Sequence, residues 1–285
     1  MMMDRRQRLA EIFQDTVRWY TEDPDLIAAS RMSYQLTRLY QPDEYPDLPD
    51  NPQKTCQVIV SPQRTFEAAA HAKAKNPSSR IAVLNFASAV KPGGGVVHGS
   101  SAQEECLCRC STLFYALDNK MLWANYYNVN RAAQNVLHTD ACIYSPSIVV
   151  FKTDDSFPER MPKEQWFIVD VISCAAPNLR QTPGNPYNPE GGDHVLLSPE
   201  EQYHLHLKRA MHIFHVATSK SVNTLILGAF GCGAFYNNPW AVARAYDKAL
   251  EAYSCYFDLV EFAVYCNPYD QENYQAFMNT IHQHK

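Results

Sequence analysis

Three consecutive glycines, Gly93-Gly94-Gly95, are followed after seven residues by Gln103-Glu104-Glu105, within a stretch that begins as an apolar run at Leu84. Adjacent carboxyls are a source of proton chemistry. Burial and a like-charged neighbour both disfavour ionisation, so Glu105, raised by Glu104 beside it, could protonate a departing oxygen and then take a proton from water. The same two acids in the first turn of a helix would also be stabilised by the macrodipole with no catalytic role. Each glycine forfeits backbone entropy on ordering. A ligand pressed against the main chain, where any Cβ would collide, accounts for that cost, and a long flexible turn is the alternative.

A second glycine-rich turn, Gly228-Ala229-Phe230-Gly231-Cys232-Gly233-Ala234-Phe235, follows the apolar run from Leu225 and leads into a helix at Pro239. Such a turn can offer N–H groups to phosphate oxygens. It contains no Gly-Lys-Ser or Gly-Lys-Thr and lacks the full Gly-x-Gly-x-x-Gly fingerprint, which argues against triphosphate hydrolysis and nicotinamide binding. Cys232 is either a nucleophile with a nearby histidine or a small residue in a tight turn. On a helix Cys106 and Cys110 share one face while Cys108 points elsewhere, so buried thiols are expected there in preference to zinc. His204, His206, His212 and His215 fall on one helix with no facing ligand placed by sequence, and are expected to be ordinary, partly buried histidines. No metal or cofactor is expected.

The triple glycine with Gln-Glu-Glu resembles the signature of poly(ADP-ribose) glycohydrolases. With Val169 to Asn178 and Gly228 to Phe235 added, the chain from about residue 55 to 285 is similar, in order and spacing, to the microbial-type branch of that family. The resemblance implies a three-layer α/β/α macrodomain with a mixed central sheet over residues 51–285, preceded by an N-terminal helical extension over residues 1–50. It implies hydrolysis of the ribose-ribose bonds of poly(ADP-ribose), or of ADP-ribosylated protein, with release of ADP-ribose. Gly93, Gly94 and Gly95 would lie along the ribose-phosphate, and Gln103 would also meet substrate. Gly228, Ala229, Phe230, Gly231, Cys232 and Gly233 would hold the diphosphate through main-chain donors, Ala234 would also meet substrate, and Phe235 would pack on the terminal ribose. Glu104 would accept hydrogen bonds from ribose hydroxyls, and Glu105 would be the catalytic acid/base.

Ser88 departs from the family pattern, since many macrodomains carry there an Asn that touches the distal ribose. The motif assigns neither the adenine contacts nor the roles of Asp170 and Asn178. Two rival functions use the same loops: a non-catalytic ADP-ribose-binding module, which has no use for an acid pair beside the ribose, and a mono-ADP-ribosyl hydrolase.

These residues need elements to position them. Leu9, Ile12, Phe13, Val17 and Tyr20 recur at helical spacing from Arg5 to Tyr20, and Asp23-Pro24 opens a second helix from about Asp25 to Leu39. The prolines between Gln41 and Gln53 predict an extended connector. Strands are expected over Cys56 to Val60, Arg80 to Phe86, Trp166 to Ile172, Asn223 to Gly228 and Phe257 to Tyr265. Helices are expected over Arg64 to Lys75, Cys106 to Leu117 with Ser101 as N-cap, Pro199 to Thr218, Pro239 to Ala252 and Asp270 to His282. The Pro-, Gly- and Asn-rich stretch from Asn178 to Asp193 is either a loop at the cleft or a surface excursion. Alternating strand and helix predict a layered α/β fold.

The 285 residues, 46% hydrophobic, suffice for one substantial core. A net charge of -5 with scattered basic residues supplies no stripe for duplex nucleic acid. Nine cysteines, an odd number, and an opening Met-Met-Met-Asp-Arg-Arg without an apolar signal segment lead to an expectation of reduced thiols in the cytoplasm, or in the nucleus of a eukaryote. No apolar run approaches the roughly 20 residues of a membrane span. A monomer is expected.

Overall fold

The strand Ile81–Phe86 sends Ile81 and Val83 into one buried cluster and Ala82 and Leu84 into another, as the two-residue repeat of a strand covered on both faces requires. It is the centre of the fold. The structure is a computed structural model that describes residues 4–50, 52–184, 192–266 and 269–281. Among them seven strands form one mixed sheet: β1 (Arg38–Tyr40), β2 (Gln57–Ser61), β3 (Ile81–Phe86), β4 (Cys142–Val150), β5 (Phe167–Cys174), β6 (Thr224–Leu227) and β7 (Leu259–Ala263). Their order across the sheet is β1-β4-β5-β3-β6-β7-β2. The five strands from β5 to β2 run parallel, and β4 is antiparallel to both β5 and β1.

Helices α1 (Arg5–Glu22), α2 (Pro24–Leu36), α3 (Thr65–Lys75), α4 (Gln103–Cys110), α5 (Leu113–Leu117), α6 (Lys120–Leu122) and α7 (Asn128–Ala133) precede β4 or connect the first strands. Phe13 of α1, Phe66 and Ala69 of α3, Leu107 of α4 and Leu113 of α5 pack on the face that carries Ile81 and Val83. Helices α8 (Pro199–Ser219), α9 (Pro239–Tyr253) and α10 (Glu272–Thr280) bring Ile213, Phe214, Val242, Tyr246 and Phe277 against the face that carries Ala82 and Leu84. The result is the three-layer α/β/α arrangement with a mixed sheet. Sequence signals explain the helix starts: Ser198 and Glu201 form a capping box around Pro199, and the side chains of Asn238 and Asp23 cap α9 and α2, each with proline at the first helical position.

Four expectations need correction. The second helix ends at Leu36, and Arg38 and Leu39, read as its end, instead join Tyr40 in a strand that pairs with Tyr144, Ile143 and Cys142 of β4, so sheet hydrogen bonding overrides local helical periodicity. Strand β4 has no counterpart in the sequence reading, because a register shift between Ser145 and Ile148, with Ser147 at φ 59, interrupts its alternation around Pro146. The helix expected to run from Cys106 to Leu117 breaks at Ser111, which is extended and bridges to Val150. Its N-cap is Ala102, whose carbonyl accepts the first helical bond from Cys106 N–H, one residue beyond Ser101.

The N-terminal segment is clamped to the body that carries the glycine-glutamate motif. Thr16 Oγ1 donates to the Arg109 carbonyl of α4 (2.6 Å), and the buried Lys152 ammonium reaches the Ile12 carbonyl (3.0 Å) and Asp15 (2.7 Å). Gly99, at φ +71, lies so close to α1 that a Cβ there would sit 1.9 Å from the Arg6 carbonyl oxygen. On the other face, His212 and His215 bond the carbonyls of Glu44 (3.1 Å) and Pro46 (2.6 Å), which ties the proline-rich connector to α8. Residue 51 of that connector lies outside the described residues, as does His282 at the end expected for the last helix.

Since Gly99 combines a left-handed φ with main-chain contact, Gly99→Ala is expected to destabilise the fold by more than about 1 kcal/mol, read as a lower urea midpoint. An unchanged midpoint would mean that α1 is not seated on this loop.

Candidate active site

The parallel strands end on one side of the sheet, and the segments leaving them build a cleft of about 720 Å³. This is where an open α/β sheet presents loop residues to a ligand. Phe86 ends β3 and Ser88 follows it, Ala176 and Arg180 follow β5, Ala229 and Gly231 follow β6, Val264 and Tyr265 follow β7, and Arg64 and Thr65 follow β2. The start of α4 closes the cleft with Ser101, Gln103, Glu104 and Glu105.

Both carboxylates are buried, 3% and 7% exposed, and both lie against Gly94. A Cβ on Gly94 would stand 2.7 Å from Glu105 Oε1 and 3.2 Å from Glu104 Oε2, and Gly94 itself is left-handed at φ +54. On Gly95 a Cβ would strike Ser100 Oγ at 2.2 Å, and on Gly93 (φ +64) it would strike the Phe114 ring at 2.7 Å. The triplet is therefore glycine because the protein's own side chains and the backbone's handedness demand it, before any ligand is considered.

Glu104 is tied down on both oxygens. Its Oε2 accepts from Ser88 N–H (2.8 Å) and its Oε1 from Asn85 Nδ2 (3.3 Å), whose amide also donates to Ser173 Oγ (2.9 Å). Burial first, and then the Glu105 carboxylate, push Glu104 up to about 8 against the N–H groups of Ser88, Asn85 and Gly93 that favour its charged form. Glu105 is held on one side alone. Its Oε1 accepts from Gly95 N–H (2.8 Å), while its buried Oε2 receives no hydrogen bond from any described residue. An acceptor left open in a protein interior calls for a partner that arrives from outside.

The opposite wall is the second glycine turn. Gly231, left-handed at φ +78, packs against Ala176 and Asn237, leaving no room for a side chain, whereas Gly233 faces open space. Asn237 donates to the carbonyls of Gly231 (3.0 Å) and Pro177 (2.7 Å), and its Oδ1 accepts from Nε2–H of buried His206 (2.8 Å). Phe235 lines the cleft with the Arg180 guanidinium 5.3 Å from its ring centroid, and Asn178 Oδ1 accepts from Arg180 Nε (2.9 Å).

The model of the microbial-type PARG catalytic domain matches residues 18–153. No curated protein matches the chain. The structure of poly(ADP-ribose) glycohydrolase from Thermomonospora curvata bound to the inhibitor ADP-HPD is 28% identical with a TM-score of 0.79, over 96% of this chain and 99% of that one. The enzyme from Deinococcus radiodurans in complex with ADP-ribose is 32% identical with a TM-score of 0.72, over 88% of this chain and 96% of that one. The chain belongs to the microbial-type poly(ADP-ribose) glycohydrolase family.

Of the residues expected in this glycohydrolase site, Gly94, Gly95, Gln103, Glu104, Glu105, Ala229, Gly231, Gly233, Ala234 and Phe235 line the cleft. Gly93, Gly228, Phe230 and Cys232 do not. Phe230 is fully buried between Phe86 and His206, and a Cβ on Gly228 would meet the Ala263 carbonyl, so both serve packing. The Gln103 amide is committed to the protein: it donates to the Leu84 carbonyl (2.8 Å) and Thr65 Oγ1 (3.0 Å) and accepts from Phe86 N–H (2.9 Å), pinning α4 to the end of β3.

The other candidates have structural places. Burial pushes the Cys232, Cys108 and Cys110 thiols up, away from the reactive thiolate. Burial likewise pulls His206 down to about 3. Asp170 binds Arg80 (2.8 Å), Tyr144 and Ser147 N–H within the sheet. Ser88 lines the cleft and orients Glu104 through its main chain. Arg6, Arg64, Asp154, Arg180, Tyr265 and Asn273 were not visible as site residues in sequence; each stands alone in its own segment, and only the topology brings them together. Of the stretch from Asn178 to Asp193, Arg180 reaches the cleft, and residues 185–191 lie outside the described residues.

The folded protein holds the Glu104 proton up to about pH 8, while an unburied glutamate releases it near 4.5. The native state thus binds more protons across that window, and stability is greatest below it and falls as pH rises through it. Glu104→Gln is expected to flatten this slope in urea titrations between those two pH values. Parallel slopes for the variant and wild type would contradict the shift.

Proposed function

We propose that this protein hydrolyses the ribose-ribose O-glycosidic bonds of poly(ADP-ribose), releasing ADP-ribose, with Glu105 as acid/base. The observation that carries the proposal is the buried, unpartnered Oε2 of Glu105 beside the Gly94 backbone, which leaves one lone pair of a fixed carboxyl for a group on the ligand. A module that bound ADP-ribose without cutting it would gain nothing from a second buried acid.

The terminal ribose lies between Phe235 and the two glutamates, its hydroxyls toward Glu104. The diphosphate follows the main chain of Gly231, Gly233 and Ala234, an arrangement of the kind that binds phosphate oxygens through N–H groups. The purine takes the far end, where the Arg64 guanidinium lies 4.0 Å from the Tyr265 ring centroid and Asp154 faces the cavity. Residues 51–285 form the body of the catalytic unit, and residues 1–50 complete it with the bracing helices α1 and α2 and the edge strand β1.

Cleavage then needs one carboxyl acting twice. Protonated Glu105 gives its proton to the leaving ribose oxygen as the bond to the anomeric carbon breaks, and the electron pair leaves with that oxygen. The positive charge on the sugar is offset by the substrate's own diphosphate. Glu105, now a carboxylate, takes a proton from the water that attacks the anomeric carbon, which restores the acid and yields free ADP-ribose.

Glu105→Gln is expected to lower kcat on labelled polymer by about 10² to 10⁴ while ADP-ribose affinity by calorimetry stays within about threefold. A folded variant releasing ADP-ribose at the wild-type rate would remove Glu105 from the mechanism. Products resolved by length, on polymer and on singly modified protein, separate polymer cleavage from mono-ADP-ribosyl hydrolysis.

A further inference from the structure

Three arginines, Arg6, Arg64 and Arg180, are the cations among the described residues that line the cleft. Two lie along the path given to ADP-ribose itself: Arg64 stacks on Tyr265, and Arg180 is held by Asn178 over Phe235. Arg6 is different in origin and place. It is an exposed residue of α1, outside the sheet, and it lines the cleft. The Arg6 carbonyl is in contact with Gly99, the next residue is Ser100, and Ser100 Oγ and Glu105 Oε1 both flank Gly95. The helix is fixed there by Thr16 and Lys152, so the position of Arg6 relative to Glu105 is set by the fold.

From this we infer that Arg6 binds the diphosphate of the polymer unit on the leaving-group side, and so favours poly(ADP-ribose) over single ADP-ribose; the inference rests on the function proposed above. The reason is the substrate's connectivity. The oxygen that Glu105 protonates belongs to the adenosine ribose of the adjoining unit, and that ribose carries the adjoining diphosphate on its 5′ carbon. A dianion therefore emerges on the same side as the two glutamates, where Arg6 supplies a guanidinium, the side chain whose fork geometry suits phosphate oxygens. Free ADP-ribose and singly modified protein have no such second diphosphate.

The test compares Arg6→Ala, Arg6→Glu and Arg6→Lys with wild type on labelled polymer, each checked by thermal melt and by calorimetry with ADP-ribose. For the alanine variant KM for polymer is expected to rise about tenfold with kcat within about twofold, and its dependence on salt to become shallower. The lysine variant is expected to stay near wild type, the glutamate variant to rise further, and ADP-ribose affinity to remain unchanged in all three. An unchanged polymer KM in the alanine and glutamate variants, or an equal loss of ADP-ribose affinity, would overturn the inference while leaving the hydrolase reading intact. A wild type that leaves polymer uncut would instead overturn that reading and this inference together.

Discussion

The site depends on one steric and electrostatic constraint: two buried carboxylates close on a backbone segment that has no room for side chains. Gly94 lies against both Glu104 and Glu105, and Gly95 supplies the N–H that holds Glu105. Around this contact the roles of the two acids separate. Glu104, bonded on both oxygens and raised by burial and by its neighbour, is a fixed wall of the cleft, whereas Glu105 keeps one oxygen open to whatever enters.

The remaining structure fixes that contact in place. The Gln103 amide, which the family resemblance implies to be a substrate contact, fastens α4 to β3 and so sets the height of the glutamates above the sheet. The parallel order of β5, β3, β6, β7 and β2 brings five chain segments to one edge, which allows residues from Arg64 to Asn273 to share one cavity. The helical extension, lying over Gly99 and bonded through Thr16, supports the far side of the same loop.

Much of this was legible in the chain. The two-faced hydrophobicity of β3, the proline-led helix starts and the coupling of triple glycine to paired glutamates are local signals, and each survives in the fold. What was hidden is what depends on pairing at a distance. Strand β1 follows a helix without a break in apolar spacing and becomes a strand because β4 offers it an edge, while β4 is disguised by its own bulge. The reason for the glycines was also hidden: sequence suggests a ligand's need for space, and the structure adds the needs of Phe114, Ser100 and Glu105. Arginines from separate segments carry no motif at all, so their convergence on the cleft is readable in three dimensions alone.

Glycine at position 94 keeps in place the carboxyl proposed to act as acid/base. The most direct measurement is the turnover of Gly94→Ala on poly(ADP-ribose), with folding verified by its melting transition. A Cβ 2.7 Å from Glu105 Oε1 must displace that carboxyl, so kcat is expected to fall by about 10² in a protein that still folds. A folded variant turning over within twofold of wild type would contradict the account.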